Sequence, residues 1–360
     1  MYKKLFGYTI LCLYFLVIAV AITNGPLVSY QSLILGLIGL IAIIIGSSAI
    51  AKTINLVDVP DSFRKGHTGN VPLIGGIVIF ISIVYGTFVF GVDPFYRYVI
   101  ISLVPIIIVG TVDGIEDISV PVSVRFIAQI LASWIVILST DVYLRDLGNL
   151  FGQGTIHLHQ FGIPFTIFAV VGMCNAFNML DGKDGQTGSV SVVIIASLLL
   201  LLYFNGIIYN WGLILILSLA VFLTFNLNFF GHDRKIFLGE HGSSSLGHLI
   251  AWNLVYLSQE TDFITPVTAL WFAFYPLTDA LLTIMRRIRF SQSIVKADRR
   301  HLHHILEDQG FSDQRVLMFI VFISILGAVG AVTANILSTP DYYLFYGYLT
   351  ILVCLLLLRR

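Results

Sequence analysis

The stretch VLMFIVFISILGAVGAVTANIL, from Val316 to Leu337, carries no charged side chain. A helix needs roughly 20 apolar residues to cross the hydrocarbon of a bilayer, and this stretch reaches that length. Other apolar runs, several of them shorter, alternate with polar segments along the chain. They are Leu5–Thr23, Ser32–Ala51, Pro72–Gly91, Tyr98–Val112, Phe126–Thr140, Phe161–Met179, Val190–Phe204, Trp211–Phe230, Gly242–Leu257, Val267–Met285 and Tyr342–Leu358. The sequence therefore predicts an all-α polytopic membrane protein with about 12 transmembrane helices.

The composition argues against a water-soluble globular protein. Of the 360 residues, 57% are hydrophobic and 11% are charged, and the mean hydropathy is +0.92. The formal net charge is zero, which argues against nucleic acid as a partner. No segment is typical of a soluble domain. We interpret residues 31–360 as one membrane domain, preceded in residues 1–30 by an extra N-terminal transmembrane helix.

Lysine and arginine are distributed unequally between the two sides that twelve spans would define. Of the 20 basic residues, 18 fall on one side, and Arg97 and Arg145 fall on the other. Positive charge accumulates in the cytoplasmic loops of membrane proteins. We therefore assign the basic side and both termini to the cytoplasm, and we expect the active site in the cytoplasmic loops.

The sixth apolar run ends in a cluster of amide and carboxylate side chains. Asn175, Asn178 and Asp181 recur at three-residue steps, and Asp184 follows them. If the helix continues to its end, the first three share one face. A polar helix end followed by a turn is the simpler interpretation. An aspartate at membrane depth costs about 2.5–3.5 kcal/mol, however, so the cluster favours a ligand-binding wall.

Acidic side chains gather in the loops and helix ends of the same side. Seven of them are Asp113, Glu116, Asp117, Asp181, Asp184, Glu240 and Asp279. Carboxylates in one place repel one another unless a cation lies among them. Oxygen ligands of this kind suit Mg²⁺ or Mn²⁺, which also bind substrate phosphate. The pattern predicts a site for one of these two metals.

Basic side chains on that side can bind phosphate. The run Asp298-Arg299-Arg300-His301-Leu302-His303-His304 combines guanidinium groups with imidazoles, both of which donate to phosphate oxygens. Zinc is a rival ligand for the histidines, but no cysteine lies nearby. A second run, Arg64-Lys65-Gly66-His67, is explained equally well by contact with an anionic lipid head or by topological anchoring. Acids, metal and basic groups together predict phosphoryl transfer to an acceptor in the lipid.

Several motifs resemble those of the polyprenyl-phosphate N-acetylhexosamine-1-phosphate transferases, which are glycosyltransferase family 4. They are Leu56-Val-Asp58-x-Pro60, Phe63-Arg-Lys-x-His67, Pro72-Leu-Ile-Gly-Gly76, Asp113-x-x-x-Asp117-Ile-Ser119, Asn175-Ala-Phe-Asn178-Met-x-Asp181-Gly-x-Asp184-Gly185, Phe237-x-Gly239, Pro276-Leu-x-Asp279 and Asp298-Arg-x-His301-x-His303-His304. The resemblance extends from about Ser32 to the last apolar run. It covers 11 of the predicted helices and leaves the first one outside.

The resemblance implies a reaction in which undecaprenyl phosphate attacks the β-phosphate of a UDP-sugar, with GlcNAc as the default sugar, and UMP leaves. It implies an enzyme of the bacterial inner membrane, surrounded by membrane lipids, whose active site faces the cytoplasm. Its product would initiate a cell-surface polysaccharide of the O-antigen, common-antigen or teichoic-acid type. A homodimer is one possible assembly.

The same resemblance implies roles for the residues that match the motifs. Asp113, Asp181 and Asp184 would be catalytic, with Asp113 near the attacking lipid phosphate. Glu240, Asn178 and Asp181 would hold the metal. The substrate-binding residues would be His301, His303, His304, Arg299, Asp298, Asn175, Asp117, Arg64, Lys65 and His67.

Two positions depart from the family's pattern. Gly114 stands where the family has a second aspartate, and Glu240-His241 stands where it has aspartate followed by alanine or threonine. The first change removes a carboxylate, and the second moves one outward and adds an imidazole. One alternative is therefore a divergent pseudoenzyme that binds nucleotide-sugar or lipid phosphate without turnover. A transporter of an anionic metabolite is a second alternative, which the charge distribution disfavours.

Overall fold

The computed structural model describes residues 30–59, 69–116, 118–293 and 301–358. The predicted N-terminal helix lies outside these ranges. So do six of the predicted site residues: Arg64, Lys65, His67, Asp117, Asp298 and Arg299. The roles assigned to them stay predictions.

Almost all regular structure in the described residues is helical. The α-helices are α1 (Tyr30–Thr53), α2 (Gly75–Phe90), α3 (Pro94–Asp113), α4 (Val122–Thr140), α5 (Gly162–Leu180), α6 (Gln186–Phe204), α7 (Asn210–Asn226), α8 (Gly239–Gln259), α9 (Pro266–Phe272), α10 (Phe274–Arg289), α11 (Leu302–Asp308), α12 (Asp313–Ile336) and α13 (Asp341–Leu358). Short 3-10 helices cover His159–Phe161 and His232–Arg234. Two short strands, β1 (Val57–Asp58) and β2 (Val71–Pro72), pair antiparallel. The predicted helical fold is confirmed.

Six helical segments of the described chain are long and apolar enough to cross a membrane. They are Pro94–Asp113, Val122–Thr140, His159–Leu180, Gln186–Phe204, Asp313–Ile336 and Asp341–Leu358. The bent pair α9 and α10 makes up to seven. Three apolar segments are shorter: Ile38–Thr53, Gly75–Phe90 and Asn210–Asn226. A multi-pass membrane protein is confirmed, whereas the predicted number of about 12 is not.

The predicted span Val267–Met285 is broken in two. Helix α9 ends at Phe272, α10 begins at Phe274, and the two are bent by 88°. Pro276 has no amide hydrogen, so it cannot donate the helical bond to the carbonyl of Phe272. The apolar run is continuous in sequence, and the backbone chemistry of a single proline interrupts the helix.

The chain divides into two compact units. Among the described residues, unit 1 comprises those within Met1–Ala132 and Leu202–Ser245, and unit 2 comprises those within Ser133–Leu201 and Leu246–Arg360. In unit 1, α2 packs against α1, α3 and α7. In unit 2, α10 packs against α5, α12 and α13, with a buried cluster of Leu282, Tyr348 and Leu352 between α10 and α13.

Candidate active site

In unit 1, Asp113 and Glu240 lie on either side of Arg125. Asp113 ends α3, Arg125 lies in the first turn of α4, and Glu240 lies in the first turn of α8. Arg125 Nη1 donates a hydrogen bond to Glu240 Oε2 and lies 3.5 Å from Asp113 Oδ2. The sequence predicted both carboxylates as site residues but explained Arg125 by topology alone. An arginine in the first turn of a helix, 12 positions after a predicted catalytic acid, was the available signal.

The helix ends at which these residues lie affect the stability of their charged forms. Asp113 lies at the C-terminus of α3, where free carbonyl groups disfavour a negative charge, and Arg125 compensates for it. Asp113 Oδ1 also accepts a hydrogen bond of 2.7 Å from the Val120 amide. Glu240 lies at the N-terminus of α8, where the helix dipole favours a carboxylate. We call Asp113, Arg125 and Glu240 the carboxylate pair with its arginine.

Two of the sequence motifs position Glu240. The backbone amides of Gly75 and Gly76 donate to the carbonyl oxygens of Phe237 and Leu238, at 2.8 and 3.0 Å. The Phe237 amide donates in turn to the Pro72 carbonyl at 2.9 Å. A Cβ on Gly75 would lie 2.8 Å from the Phe237 oxygen, which is too close for any larger residue without backbone movement. These contacts fix the chain directly before α8.

Burial, together with the adjacent Asp113 carboxyl, raises the pKa of the Glu240 carboxyl to about 7, although Arg125 acts in the opposite direction. Two carboxylates this close disfavour double ionisation unless a cation lies beside them. Arg125 supplies one such cation, and the raised pKa of Glu240 shows that this single charge does not fully offset the burial of the carboxyl and the adjacent Asp113.

The carboxylate pair fits Mg²⁺ or Mn²⁺ by the chemistry of its donors. In the described residues, no group of three or more histidine, cysteine, aspartate or glutamate side chains is arranged to hold a metal ion. Mg²⁺ usually binds one or two carboxylates and takes its other ligands from water and substrate phosphate. Asp113 and Glu240 meet that requirement. The other predicted ligands, Asn178 and Asp181, belong to unit 2, and their role stays a prediction.

The departures at Gly114 and His241 have packing explanations. A Cβ on Gly114 would lie 2.9 Å from Leu56 Cδ1 and 3.3 Å from Leu73 Cδ1, so apolar side chains cover this position. His241 is fully buried, and a Cβ on Gly110 would lie 2.7 Å from its backbone nitrogen, so α3 packs closely against it. A Cβ on Gly76 would lie 2.5 Å from His241 Cδ2, which shows how closely α2 approaches the ring.

In unit 2, the predicted amide and carboxylate cluster lies at the end of α5. The helix continues through Leu180, so Asn175 and Asn178 are helical and Asp181 is the C-terminal cap. Asn175 Nδ2 donates to the Val171 carbonyl at 2.8 Å, and Asp181 Oδ1 accepts from Thr187 Oγ1 at 2.9 Å. Asp181 is exposed. We call residues 181–185, which lie between α5 and α6, the acidic loop; Asp184 lies within it.

The acidic loop packs against α11, which carries the predicted histidines. A Cβ on Gly182 would lie 2.2 Å from His303 Nε2, so only glycine permits this approach without a shift. Gln186 Nε2 and His303 Nδ1 are 3.4 Å apart. The rings of His301 and His303 are stacked with centroids 5.7 Å apart, and those of His303 and His304 are 4.2 Å apart. The three histidines therefore form one group, and their predicted role in binding phosphate stays a prediction.

Asp279 positions His301 and the start of α11. Its Oδ2 lies 2.9 Å from His301 Nδ1, and its Oδ1 accepts a 3.1 Å hydrogen bond from the Leu302 amide. Both side chains are buried, at 5% and 7% exposure. The sequence placed Asp279 among the seven acids of the predicted cation site and gave no indication of its contact with His301. The two residues are 22 positions apart in sequence, and their spacing alone does not predict the contact.

The other two histidines differ in environment. Burial, with smaller contributions from His304 and His301, lowers the pKa of the His303 imidazole to about 3. His303 is therefore neutral near neutral pH. His304 Nδ1 lies 3.3 Å from Glu307 Oε2 in the next turn of α11.

Lys183 links the acidic loop to two helices. Its Nζ lies 2.7 Å from Glu307 Oε1 and 3.0 Å from Asp313 Oδ1. Burial lowers the pKa of the Lys183 ammonium, but hydrogen bonds to these two carboxylates outweigh burial and leave the pKa above its ordinary value. The side chain is therefore cationic. Sequence patterns did not single it out, because a lysine between two acidic residues is typical of a solvated loop.

Comparison with known proteins identifies the family. The sequence pattern of glycosyl transferase family 4 matches residues 96–258, which contain Asp113, Arg125, the acidic loop and Glu240. The chain is 33% identical over 317 residues to the undecaprenyl-phosphate alpha-N-acetylglucosaminyl 1-phosphate transferase of Escherichia coli (strain K12), covering 83% of this chain and 84% of that protein. Proteins of the same name from Yersinia pestis and Haemophilus influenzae are each 32% identical, over 313 and 304 residues, covering 83% of this chain and 85% of each of them. The chain belongs to glycosyl transferase family 4.

Proposed function

We propose that this protein transfers N-acetylhexosamine-1-phosphate, with GlcNAc as the sugar, from a UDP-sugar to undecaprenyl phosphate. The names of its relatives support this lipid acceptor and this sugar. The observation that carries the proposal is the carboxylate pair with its arginine, in which two acids from different helices share one guanidinium. A reaction between two anions requires such a balance of acids and cations.

The proposed transfer makes one bond to phosphorus and breaks another. An oxygen of the lipid phosphate bonds to the β-phosphorus of the UDP-sugar. The bond from that phosphorus to the oxygen bridging to the α-phosphate breaks, and UMP leaves with this oxygen. Asp113 orients the lipid phosphate and accepts its proton if the phosphate is protonated. Undecaprenyl-diphospho-GlcNAc is the product.

We propose that Glu240 and Asp113 hold Mg²⁺ or Mn²⁺. When bound, the cation would neutralise charge on the phosphoryl group being transferred. Glu240 contributes a carboxylate oxygen from the N-terminus of α8. Arg125 holds the two carboxylates at a short separation despite their repulsion.

In unit 2, the three histidines are proposed to bind phosphate oxygens. His303 is neutral and donates one N–H. Asp279 accepts a hydrogen bond from His301 Nδ1 and thereby fixes the ring's tautomer and orientation, as carboxylate partners of functional histidines do. Asp181 and Asp184 are proposed to act from the acidic loop.

The proposal extends to location and pathway. The excess of basic residues on one side supports an active site that faces the cytoplasm. The bacterial relatives support an inner membrane. The lipid-linked product would begin the synthesis of a cell-surface polysaccharide.

Release of UMP by the purified protein tests the reaction. The assay contains UDP-GlcNAc, undecaprenyl phosphate and either Mg²⁺ or Mn²⁺ in detergent, with UDP-GalNAc in a parallel arm to test the sugar. We expect UMP in proportion to lipid product, and no UMP without metal or without lipid. Absence of UMP under both metals would contradict the proposed activity.

A paired substitution separates an inactive homologue from an active enzyme. Gly114→Asp with Glu240→Asp restores the acids of the family's pattern. If the natural chain binds UDP-GlcNAc without releasing UMP and this variant releases it, the protein is a pseudoenzyme. Because Leu56 and Leu73 cover Gly114, the single Glu240→Asp variant is measured alongside.

A further inference from the structure

Lys183 lies inside the acidic loop, yet its charge is directed out of that loop. Asp181 and Asp184 flank it in sequence, whereas its ammonium contacts Glu307 on α11 and Asp313 at the start of α12. The Lys183 side chain is 17% exposed. One side chain therefore ties three segments of unit 2 together.

Glu307 extends this contact to the histidines. One of its carboxylate oxygens lies 2.7 Å from Lys183 Nζ, and the other lies 3.3 Å from His304 Nδ1. Since both oxygens are used, a displacement of Lys183 moves the partner of His304. We call Lys183, Glu307 and His304 the lysine bridge.

Two neighbouring contacts also join the segment around Lys183 to α11. Gly182 lies against the His303 ring, and Gln186 lies within 3.4 Å of its Nδ1. The lysine bridge lies beside these contacts and adds an ionic contact to them. The acidic loop and α11 are thus aligned by close packing at Gly182 and by ionic contact at Lys183.

We propose that Lys183 is a positioning residue, which holds α11 against the acidic loop and thereby sets His303 and His304 for binding the diphosphate of the donor. This inference rests on the proposed function for the identity of the ligand. Hydrogen bonds between ionised groups in partly buried networks are stronger and more directional than exposed ion pairs. Lys183 acts through the histidines and does not itself need to touch substrate.

An ion pair elsewhere in unit 2 provides the control. Arg145 Nη1 lies 2.6 Å from Glu260 Oε1, and neither residue belongs to the candidate site. Glu260 is about as exposed as Glu307, at 32% against 34%, whereas Arg145 is 42% exposed and Lys183 is 17% exposed. Exposed pairs of this kind contribute little to stability. Arg145→Gln therefore removes an ion pair of similar length without affecting the histidines.

The experiment compares Lys183→Met, Lys183→Arg, Glu307→Gln and the double variant Lys183→Met with Glu307→Gln. We expect Lys183→Met to raise the KM for UDP-GlcNAc about tenfold with kcat little changed, which is within the range of coupling between contacting residues. Lys183→Arg should retain most of the affinity, and the double variant should bind no more weakly than the weaker single variant. An unchanged KM in Lys183→Met, or an equal rise in Arg145→Gln, would overturn the inference.

Two further measurements separate this inference from the proposed function. Calorimetric titration with UDP-GlcNAc should give a dissociation constant about tenfold higher in Lys183→Met. Hydrogen exchange of the amides in Leu302–Asp308 should be faster in Lys183→Met and unchanged in Arg145→Gln. A wild-type protein that binds UDP-GlcNAc but releases no UMP contradicts the proposed reaction, and the titration still decides the role of Lys183. Equal dissociation constants in wild type and Lys183→Met reject that role.

Discussion

At Arg125, a charge that topology alone would explain also belongs to the candidate site. Its guanidinium contacts Asp113 and Glu240, which are 127 positions apart in sequence. The lysine bridge is a second example, since Lys183 meets a glutamate 124 positions away. In both cases the residue type was visible in sequence, but its partner was not.

Asp279→Asn should lower kcat/KM by roughly 10- to 100-fold, the range found when the carboxylate that orients a metal-bound histidine is removed. The amide can still accept from the Leu302 amide, so α11 should stay in place while His301 loses its anionic partner. Steady-state UMP release measures this effect. Asp262→Asn, at an exposed carboxylate outside the site, is the control. Equal activity of the two variants would contradict a role for Asp279.

His303 should make stability depend on pH. Its pKa is about 3 in the folded protein, below the ordinary value of 6.5, so unfolding takes up a proton between these values. The stabilisation is present above pH 6.5 and is lost as the pH falls toward 3. Thermal unfolding in detergent at pH 7.5 and pH 5 should show a larger fall in the midpoint for wild type than for His303→Gln. Equal falls would show that His303 does not titrate in this way.

At the scale of elements, glycines allow the segments of the site to approach one another. Gly75 brings α2 against the chain before α8, and Gly182 brings the acidic loop against α11. The space that a side chain at position 182 would need is occupied by the His303 ring.

Gly182→Ala should displace His303, because the added Cβ would lie 2.2 Å from its Nε2. Overpacking of this kind destabilises a protein by about 1–3 kcal/mol, and affinity for UDP-GlcNAc should fall as well. Thermal unfolding and calorimetric titration measure the two effects. Gly172→Ala is the matched control in α5, since a Cβ there meets nothing within 4 Å. A Gly182→Ala variant as stable and as tightly binding as Gly172→Ala would refute this packing.

At the scale of the whole molecule, the described chain supplies six or seven candidate spans, and each of its two units carries candidate site residues at helix ends. Within the candidate span of α13, 6% of the residues are buried inside the protein. We therefore expect lipid, more than other helices, to surround this helix. The bend between α9 and α10 places Asp279 in a separate short helix rather than in a continuous span.

The predicted orientation can be measured by cysteine labelling in spheroplasts. Gln153→Cys lies in the loop before α5, and Gln309→Cys follows α11; both positions are exposed. In a background without the three native cysteines, we expect a membrane-impermeant maleimide to label Gln153→Cys directly. It should label Gln309→Cys after the membrane is permeabilised. The opposite result would place the histidines outside the cytoplasm.

The family resemblance supplied most of the candidate site residues by type and order, and their roles stay predictions: Asp113, Asp181, Glu240 and the three histidines. It did not supply Arg125, Asp279 or Lys183 as partners. These contacts depend on the angles and lengths of helices that sequence motifs do not encode. The fold class was predictable because apolar runs of membrane length have few structural solutions. The number of spans was less predictable, because helix ends and the break at Pro276 depend on local hydrogen bonding.

Sequence alone determined that this chain is a helical membrane protein with acids and histidines of a phosphate-transfer family. Hydrophobicity and residue chemistry are properties of each segment by itself, so they can be read along the chain. The tertiary structure decided which charge meets which: Arg125 with two carboxylates, Asp279 with His301, and Lys183 with Glu307. Electrostatic interactions fall with distance in space and are indifferent to separation in sequence, which is why only the folded chain reveals them.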